Sequence, residues 1–207
     1  MQKLMLATTN LGKVAEFRYL LGQWERWRGI DLLTPGDWPA PLPSVAETGT
    51  TFAENARLKA VALSTATGLP ALADDSGLCV DALGGEPGLH SARWAGDEAT
   101  DADRNALLLA RLAGVPTEKR TARYVCVVSL AWPEGITVET EGGCAGTICE
   151  TPQGANGFGY DPLFFVPEFG HTVAELTADE KSQISHRARA LAALDVALDA
   201  SDFRGTV

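Results

Sequence analysis

Two adjacent carboxylates, Asp74 and Asp75, follow an apolar run of sequence and lead directly into Ser76 and Gly77. Neighbouring acids repel each other and lose hydration on burial unless a cation or a proton lies between them. A hard cation such as Mg²⁺ binds carboxylate oxygens and completes its coordination with water and phosphate oxygens. Glycine lets backbone approach a ligand closely. We therefore predict a metal site where a strand over 71–74 ends, with a solvated Asp-Ser-Gly turn as the alternative.

A second polar segment follows the first predicted strand, at 3–8, and reads Thr8, Thr9, Asn10, Leu11, Gly12 and Lys13. A helix predicted over 12–24 comes next, so its free N–H groups and the positive end of its dipole face this loop, which suits phosphate. Lys13 adds a positive charge. The segment is not a P-loop, because Ala7 and Val14 stand where that motif needs glycine and serine or threonine. A plain strand-to-helix turn with a surface lysine is the alternative.

A third segment supplies one more acid and one more lysine. Thr51 and Glu54 form a capping-box pattern that predicts a helix over 52–67. Glu54 is therefore assigned to the cap rather than to chemistry. Lys59 lies beside the predicted buried face of this helix and is either solvated or directed at a phosphate. Glu47, in the loop before the cap, is available to a metal ion.

A glycine-dense loop near the end of the chain contains Phe158, Gly159, Tyr160 and Asp161. An aromatic ring held between glycines suits the stacking of a flat base. A hairpin loop whose Phe and Tyr return to the core is the alternative.

Basic residues open the last predicted helix, which ends near residue 200. Ser185 is a candidate N-cap, so His186 and Arg187 lie in the first turn. Cations there oppose the helix dipole. Basic residues in an unfavourable place indicate an anionic or acceptor-rich partner.

Five motifs, in this order, closely resemble the inosine/xanthosine triphosphate pyrophosphatase family. They are Thr8-Thr9-Asn10-x-x-Lys13, Thr51-Phe52-x-Glu54-Asn55-Ala56-x-x-Lys59, Ala73-Asp74-Asp75-Ser76-Gly77, Gly157-Phe158-Gly159-Tyr160-Asp161-Pro162 and Glu180-Lys181-Ser182-x-Ile184-Ser185-His186-Arg187. The resemblance implies hydrolysis of non-standard purine nucleoside triphosphates (ITP, dITP and XTP), by attack of water on the α-phosphorus, to monophosphate and pyrophosphate. It also implies an α/β fold: an elongated mixed β-sheet flanked by helices, with two lobes, the active site in the cleft between them, and a homodimer.

The same resemblance implies roles for single residues. Glu47 and Asp75 bind Mg²⁺, Asp75 is also the proton acceptor, and Asp74 supports the metal site. The residues implied to hold phosphates are Thr8, Thr9, Asn10, Leu11, Gly12, Lys13, Lys59, Ser76 and Lys181. Those implied to hold the base are Phe158, Gly159, Tyr160, Asp161, His186 and Arg187. The last two would donate to the purine 6-oxo group, where adenine has an amino donor instead.

Two other functions fit part of the pattern. A Maf-like pyrophosphatase would share architecture and metal chemistry but prefer pyrimidine or modified nucleotides, and the Phe158 and His186 motifs speak against it. A non-enzymatic nucleotide sensor would be expected to keep the phosphate loop and lose the acids, whereas Glu47, Asp74 and Asp75 are all present.

Length and composition agree with one domain over residues 1–207, or two lobes that share a sheet, and the resemblance implies that it is a nucleoside triphosphate pyrophosphatase domain. A net charge of −10 argues against nucleic-acid and anionic-membrane partners. The four cysteines form no CxxC pair and are read as reduced, cytosolic residues. We find no signal peptide and no stretch that could span a bilayer, so a cytoplasmic location is expected.

The rest of the chain alternates helices with strands, which favours an α/β fold. A helix is predicted from Thr100 to Gly114, and strands are predicted over 29–33, 122–132 and 136–149. The last two would form a long hairpin through the turn at 133–135, which makes the sheet mixed rather than wholly parallel.

Overall fold

The structure is a computed structural model that describes residues 2–200. The strands are β1 (Lys3–Leu6), β2 (Asp31–Leu33), β3 (Ala71–Val80), β4 (Thr121–Ala131), β5 (Thr137–Ile148), β6 (Phe164–Val166) and β7 (His171–Thr172). The helices are α1 (Leu11–Gln23), α2 (Phe52–Thr67), α3 (Asp101–Arg111), α4 (Ala178–Ile184) and α5 (His186–Ala200). None of these helices is long and apolar enough to cross a membrane.

The seven strands form one sheet in the order β2-β1-β3-β4-β5-β6-β7. β1 pairs in parallel with β2 and with β3, and Met5 lies opposite Leu33 on one side and Ala71 on the other. Helical crossovers α1 and α2 make these parallel pairings possible. β6 is antiparallel to both β5 and β7. The predicted α/β fold with a mixed sheet flanked by helices is confirmed.

The chain divides into two compact units. Unit 1 consists of the chain up to Asp75, Cys126–Gly142 and the chain from Arg187 onwards. Unit 2 consists of Ser76–Val125 and Gly143–His186.

Unit 1 has a core on each face of its strands, because successive strand residues point to opposite faces. Leu4 and Leu6 of β1 pack with Phe17 of α1 and Leu191 of α5. Met5, between them in sequence, packs with residues of α2 in a second cluster. The helices α1 and α5 therefore cover one face and α2 covers the other.

Unit 2 has its own core. Leu108 of α3 and Leu112, which follows the end of that helix, pack with Tyr124 of β4, Ile148 of β5 and Phe164 of β6. These side chains are all buried. The loops that lead to the candidate base-binding residues are anchored on this core.

Most predicted elements are confirmed. α2 has the predicted bounds, α5 begins at His186, and α3 begins after Thr100, whose hydroxyl accepts from the Asp103 N–H at 3.2 Å. Every second residue from 122 to 132 is buried, as predicted, and the intervening residues 127, 129 and 131 are buried too. The short β6, β7 and α4 had no predicted counterpart. Two or three strand residues give no readable alternation, and the seven residues of α4 span only about two helical turns.

The end predicted for β3 is wrong. The strand does not stop at residue 74 but continues to Val80, so Asp74, Asp75 and Ser76 lie inside it. Leu78 and Val80 are buried in the core of unit 2, which keeps the backbone extended past the acids. Gly77 allows this, because a Cβ there would overlap the Gly88 carbonyl oxygen.

Candidate active site

Asp74 is the buried centre of the charged cluster in unit 1. Its side chain accepts from Lys13 Nζ at 2.8 Å and from Arg187 Nε at 3.3 Å. Burial alone would raise the pKa of this carboxyl, but the two cations outweigh it and hold the pKa well below its usual range. Asp74 is therefore an anion whose charge is compensated inside the protein.

Lys13 reaches Asp74 from the first turn of α1. Asn10 is the N-cap of that helix, since its Oδ1 accepts from the Lys13 N–H at 3.0 Å. Thr8 Oγ1 in turn accepts from the Asn10 N–H at 3.2 Å. Leu11, the first helical residue, is 82% exposed. The predicted loop before α1 is confirmed as a helix amino terminus, and its affinity for phosphate stays a prediction.

Arg187 lies between two carboxylates of unit 1. Besides Asp74, it donates from Nη1 to Glu16 Oε2 of α1 at 3.1 Å. Its side chain is buried. Glu16 was not singled out in the sequence, because an acidic residue on an amphipathic helix is ordinarily exposed to solvent. The base-reading role predicted for Arg187 stays a prediction.

Asp75 and Glu47 share one ammonium group. Lys59 Nζ donates to Asp75 Oδ1 at 2.9 Å and to Glu47 Oε1 at 3.0 Å. Burial acts to lower the pKa of Lys59, but Asp75, Asp74 and Glu47 outweigh it and raise the pKa above its ordinary value. Lys59 therefore carries a full positive charge at the position where two carboxylates meet.

The pKa of Asp75 is shifted in the opposite direction to that of Asp74. Burial raises it, the Lys59 ammonium only partly offsets that effect, and the Glu47 carboxylate adds to it. Two acids adjacent in sequence thus differ in proton affinity, since one has two close cations and the other has one. A carboxylate with raised proton affinity is the better proton acceptor.

Asn55 connects Asp75 to the loop that carries Glu47. Its Nδ2 donates to Asp75 Oδ2 at 3.3 Å, and its Oδ1 accepts from the Gly49 N–H at 2.8 Å. Asn55 is 1% exposed, and a Cβ at Gly49 would lie 2.7 Å from its Oδ1. The sequence analysis gave Asn55 no role, although an amide on the buried face of α2 was a usable signal.

The donor set of unit 1 fits Mg²⁺. Within residues 2–200 there is no group of three or more His, Cys, Asp or Glu side chains arranged to hold a metal. Mg²⁺ commonly uses only one or two carboxylates and takes its other ligands from water and phosphate. Glu47 and Asp75 already meet at a single cation, the Lys59 ammonium. Metal roles for Glu47, Asp75 and Asp74 stay predictions.

Glu54 caps α2, as predicted, but not through the expected pair of bonds. Thr51 Oγ1 accepts from the Glu54 N–H at 3.1 Å, whereas the Glu54 carboxylate accepts from the Thr50 N–H at 2.6 Å. The carboxylate therefore bonds one residue earlier than in a standard capping box.

Asp161 organises the glycine-rich loop of unit 2. Its Oδ2 accepts from Lys181 Nζ at 2.8 Å and from the Phe158 N–H at 3.1 Å. Gly157 has φ +76°, and a Cβ there would overlap that same oxygen. The loop therefore closes around a buried carboxylate, which requires glycine at this turn.

The backbone of Gly159 is tied to α3 at both ends. Its N–H donates to Asp101 Oδ2 at 2.7 Å, and its carbonyl accepts from Asn105 Nδ2 at 2.9 Å. Next to it, the half-buried Phe158 ring has Lys181 Nζ 5.2 Å from its centroid, a cation–π distance. The loop is thus held in one conformation, and base stacking on Phe158 stays a prediction.

Tyr160 belongs to the core. Its ring is buried, its hydroxyl donates to the Ser91 carbonyl at 2.9 Å, and burial raises the pKa of the phenol. For this residue the alternative given for the glycine-rich loop, a ring that returns to the core, is the correct one. A substrate contact by Tyr160 stays a prediction.

His186 stacks on a tyrosine that the sequence analysis read only as a core position. The rings of His186 and Tyr124 have centroids 4.7 Å apart and planes 11° from parallel. The Tyr124 hydroxyl donates to Asp161 Oδ1 at 3.2 Å. Tyr124 followed the same alternation as its apolar neighbours in β4, so no pattern distinguished it.

Ser76, which the sequence assigned to phosphate binding, is half-buried within β3.

The model of the Ham1 family matches residues 4–196 of the chain. The chain is 53% identical over 195 residues to a protein of Geobacillus kaustophilus named dITP/XTP pyrophosphatase, covering 94% of this chain and 93% of that one. It is 52% identical to a Thermus thermophilus protein of the same name, with 93% and 89% covered.

Solved structures agree. A HAM1 protein from Coxiella burnetii superposes with a TM-score of 0.83 at 41% identity, over 97% of this chain and 100% of that one. A structure titled nucleoside-triphosphatase / dITP/XTP pyrophosphatase, from Mycobacterium abscessus, has a TM-score of 0.73 at 46% identity, over 93% and 98%. Matched along nearly its whole length in both sequence and fold, the chain belongs to the Ham1 family.

Proposed function

We propose that this chain hydrolyses purine nucleoside triphosphates that carry hypoxanthine or xanthine (ITP, dITP and XTP) to the monophosphate and pyrophosphate. The observation that carries the proposal is the pair Glu47 and Asp75 meeting at one cation, beside an Asp74 held by Lys13 and Arg187. The names of relatives about half identical to the chain support the same reaction.

Charge neutralisation and positioning supply most of the catalysis in phosphoryl transfer. We assign the phosphates to the loop 8–13, Lys59, Ser76 and Lys181. Lys13 and Lys59 are partly accessible, and each already contacts an anionic oxygen. A triphosphate also offers anionic oxygens, so both ammonium groups can donate hydrogen bonds to its phosphates.

Glu47 and Asp75 are the residues that would hold Mg²⁺, and Asp74 supports them. When bound, the ion neutralises phosphate charge and lowers the pKa of a coordinated water. Asp75, whose pKa burial raises, accepts the proton of the water that attacks the α-phosphorus. Asn55 keeps one oxygen of Asp75 oriented while the other faces Lys59.

The base-binding residues of the proposal belong to unit 2, apart from Arg187. Phe158 stacks on the purine, and Asp161 holds that ring's backbone in place. His186 and Arg187 donate to the 6-oxo group. Adenine presents an amino donor at this position, and a donor facing a donor costs about 1–3 kcal/mol, roughly ten- to a hundredfold in selectivity.

Two further parts of the proposal concern the whole protein. All four cysteines are free, and three of them are buried, which suits a reducing compartment such as the cytoplasm. We also propose a homodimer, which sedimentation equilibrium would test by a mass twice that of the chain.

Chromatography of the products from ITP and Mg²⁺ tests the reaction. Inosine monophosphate with pyrophosphate supports the proposal, whereas inosine diphosphate with orthophosphate contradicts it. A panel that includes pyrimidine triphosphates separates it from a Maf-like activity, which would prefer those substrates. Asp75→Asn protein prepared in parallel shows that the activity belongs to this chain rather than to a contaminant.

A further inference from the structure

Tyr124 contacts two of the candidate base-binding residues at once. One face of its ring lies against the His186 imidazole at 4.7 Å, and its hydroxyl donates to Asp161 at 3.2 Å. All three side chains are buried. They also line one narrow pocket together with Lys181 and Ser185. Tyr124 therefore contacts His186 and Asp161 where all three line this pocket.

The contacts of Asp161 extend the influence of Tyr124 to the rest of the loop. The oxygen not bonded to Tyr124 accepts from Lys181 and from the Phe158 N–H. A carboxylate turned away from Tyr124 would change the position of both partners. The Tyr124 hydroxyl thus orients the residue that holds Phe158.

We propose that Tyr124 is a positioning residue for purine selectivity, holding the His186 ring plane by stacking and the Phe158 loop through Asp161. This inference rests on the proposed function. Tyr124 itself need not touch the substrate. It limits the orientations of His186 and Phe158, the two side chains proposed to contact the base.

Hydrogen-bond direction explains why the ring plane matters. The N–H groups of an imidazole lie in the plane of the ring, and a hydrogen bond weakens steeply as its angle falls. A parallel neighbour on a buried strand keeps that plane constant. Phe164 packs on Tyr124 as well, with centroids 4.5 Å apart and ring planes tilted by 38°.

Two variants separate the stacking from the hydroxyl. Tyr124→Phe keeps the aromatic ring and removes the bond to Asp161, so KM for dITP should rise several-fold with kcat within about twofold. Tyr124→Leu removes both contacts. We expect its preference for dITP over dATP, measured as the ratio of kcat/KM, to fall by about tenfold or more.

Phe164→Leu is the matched control. Phe164 is fully buried in the same core and contacts the same tyrosine, and its hydrogen bond to Asp161 joins backbone atoms, which the substitution keeps. Phe164→Leu should lose stability as Tyr124→Leu does and keep the dITP preference within about twofold. A merely structural role of Tyr124 would make the two variants behave alike.

Imidazole NMR gives a readout independent of activity. The chain has only three histidines, so the His186 ring signals can be assigned with His90→Gln and His171→Gln variants. The ring current of Tyr124 should shift the His186 ring protons upfield in the wild type and in Tyr124→Phe. The shift should disappear in Tyr124→Leu.

The outcomes are distinguishable. A wild type that does not convert dITP to monophosphate and pyrophosphate overturns the proposed function and this inference with it. An active wild type whose dITP preference is unchanged in both Tyr124 variants overturns this inference alone. Failure of Tyr124→Leu to fold leaves Tyr124→Phe to decide, since an unchanged KM there contradicts the Asp161 connection.

Discussion

The two units stabilise their buried carboxylates with different kinds of partner. In unit 1, Asp74 and Asp75 are matched mainly by cations: Lys13 and Arg187 for one, Lys59 for the other. In unit 2, Asp161 has one ammonium, one backbone N–H and one phenol hydroxyl. The first arrangement depends on charge, and the second depends on geometry.

This difference leads to different expectations for mutants. Removing a charge in unit 1 changes the field acting on phosphates, which every nucleoside triphosphate shares. Changing a contact in unit 2 alters the orientation of residues assigned to the base. Variants of the Asp74 and Asp75 cluster should therefore affect all triphosphates alike, whereas variants of the contacts around Asp161 should affect the choice among them.

The largest effect is expected for Asp75→Asn. An amide neither accepts the proton of water nor binds a cation as a carboxylate does, so kcat should fall by more than about a hundredfold. Nucleotide affinity should be largely retained. Single-turnover kinetics with ITP and with ATP, together with calorimetric binding, measure both.

Asp81→Asn is the control for that variant, because Asp81 is an exposed acid paired with Arg123. It should leave kcat unchanged. An Asp75→Asn protein that keeps most of its activity would remove Asp75 from the mechanism.

Arg187→Ala tests whether a residue of the charged cluster in unit 1 also contributes to base selectivity. The base-reading role predicts that kcat/KM for ITP falls about ten- to a hundredfold more than that for ATP. By its contacts, however, Arg187 belongs to the charged cluster of unit 1. Lys13→Ala, compared in the same assay, should reduce both substrates in parallel. An unchanged ITP-to-ATP ratio in folded Arg187→Ala protein would restrict this residue to the charge cluster.

Asn55→Ala should lower both stability and rate by an intermediate amount. It leaves the Gly49 N–H and one Asp75 oxygen without the amide, which costs about 2–3 kcal/mol of unfolding free energy. Urea denaturation and kcat on ITP are the measurements.

Ser64→Ala is matched to it, since Ser64 is also buried on α2 and donates to the Leu69 carbonyl at 2.8 Å. That control should lose stability without losing rate. Equal rates for both variants would show that Asn55 does not position Asp75.

The smallest effect is a pH-dependent loss of stability in Lys13→Met. The pKa of Asp74 is lowered by folding, so this carboxylate stabilises the native protein above its ordinary pKa and stops doing so as the pH falls through the folded value. Removing Lys13 raises the folded pKa and should cost about 1–2 kcal/mol at pH 7. The difference from wild type should narrow as the pH falls through the raised folded pKa of Asp74 in the variant.

Urea denaturation in the presence of a chelator, from pH 7 down to the lowest pH at which both proteins fold, measures this loss. A difference that is constant with pH would mean that Lys13 stabilises by packing rather than by its charge.

Local signals explain what the sequence predicted well. The bounds of α2 depend on Thr51 at one end and on Gly68 at the other, whose φ of +67° suits glycine. Such caps involve residues close in sequence. The pattern of β4 is equally local, because alternate residues of a strand share a face.

Long-range contacts explain what it did not predict. The continuation of β3 depends on a core that Leu78 and Val80 share with distant helices. Arg187 and Asp74 are 113 positions apart, so their pairing required the fold. In the sequence, Asn55 and Tyr124 resemble ordinary helix and core residues, because their polar partners, Asp75 and Asp161, are distant along the chain.

Oxygen-18 water tests the central claim most directly. The account predicts attack of water on the α-phosphorus of dITP, so the label should appear in deoxyinosine monophosphate and not in pyrophosphate. Mass spectrometry of the two separated products measures the label. Oxygen-18 in the pyrophosphate, or in released orthophosphate, would place the attack on another phosphorus and contradict the account.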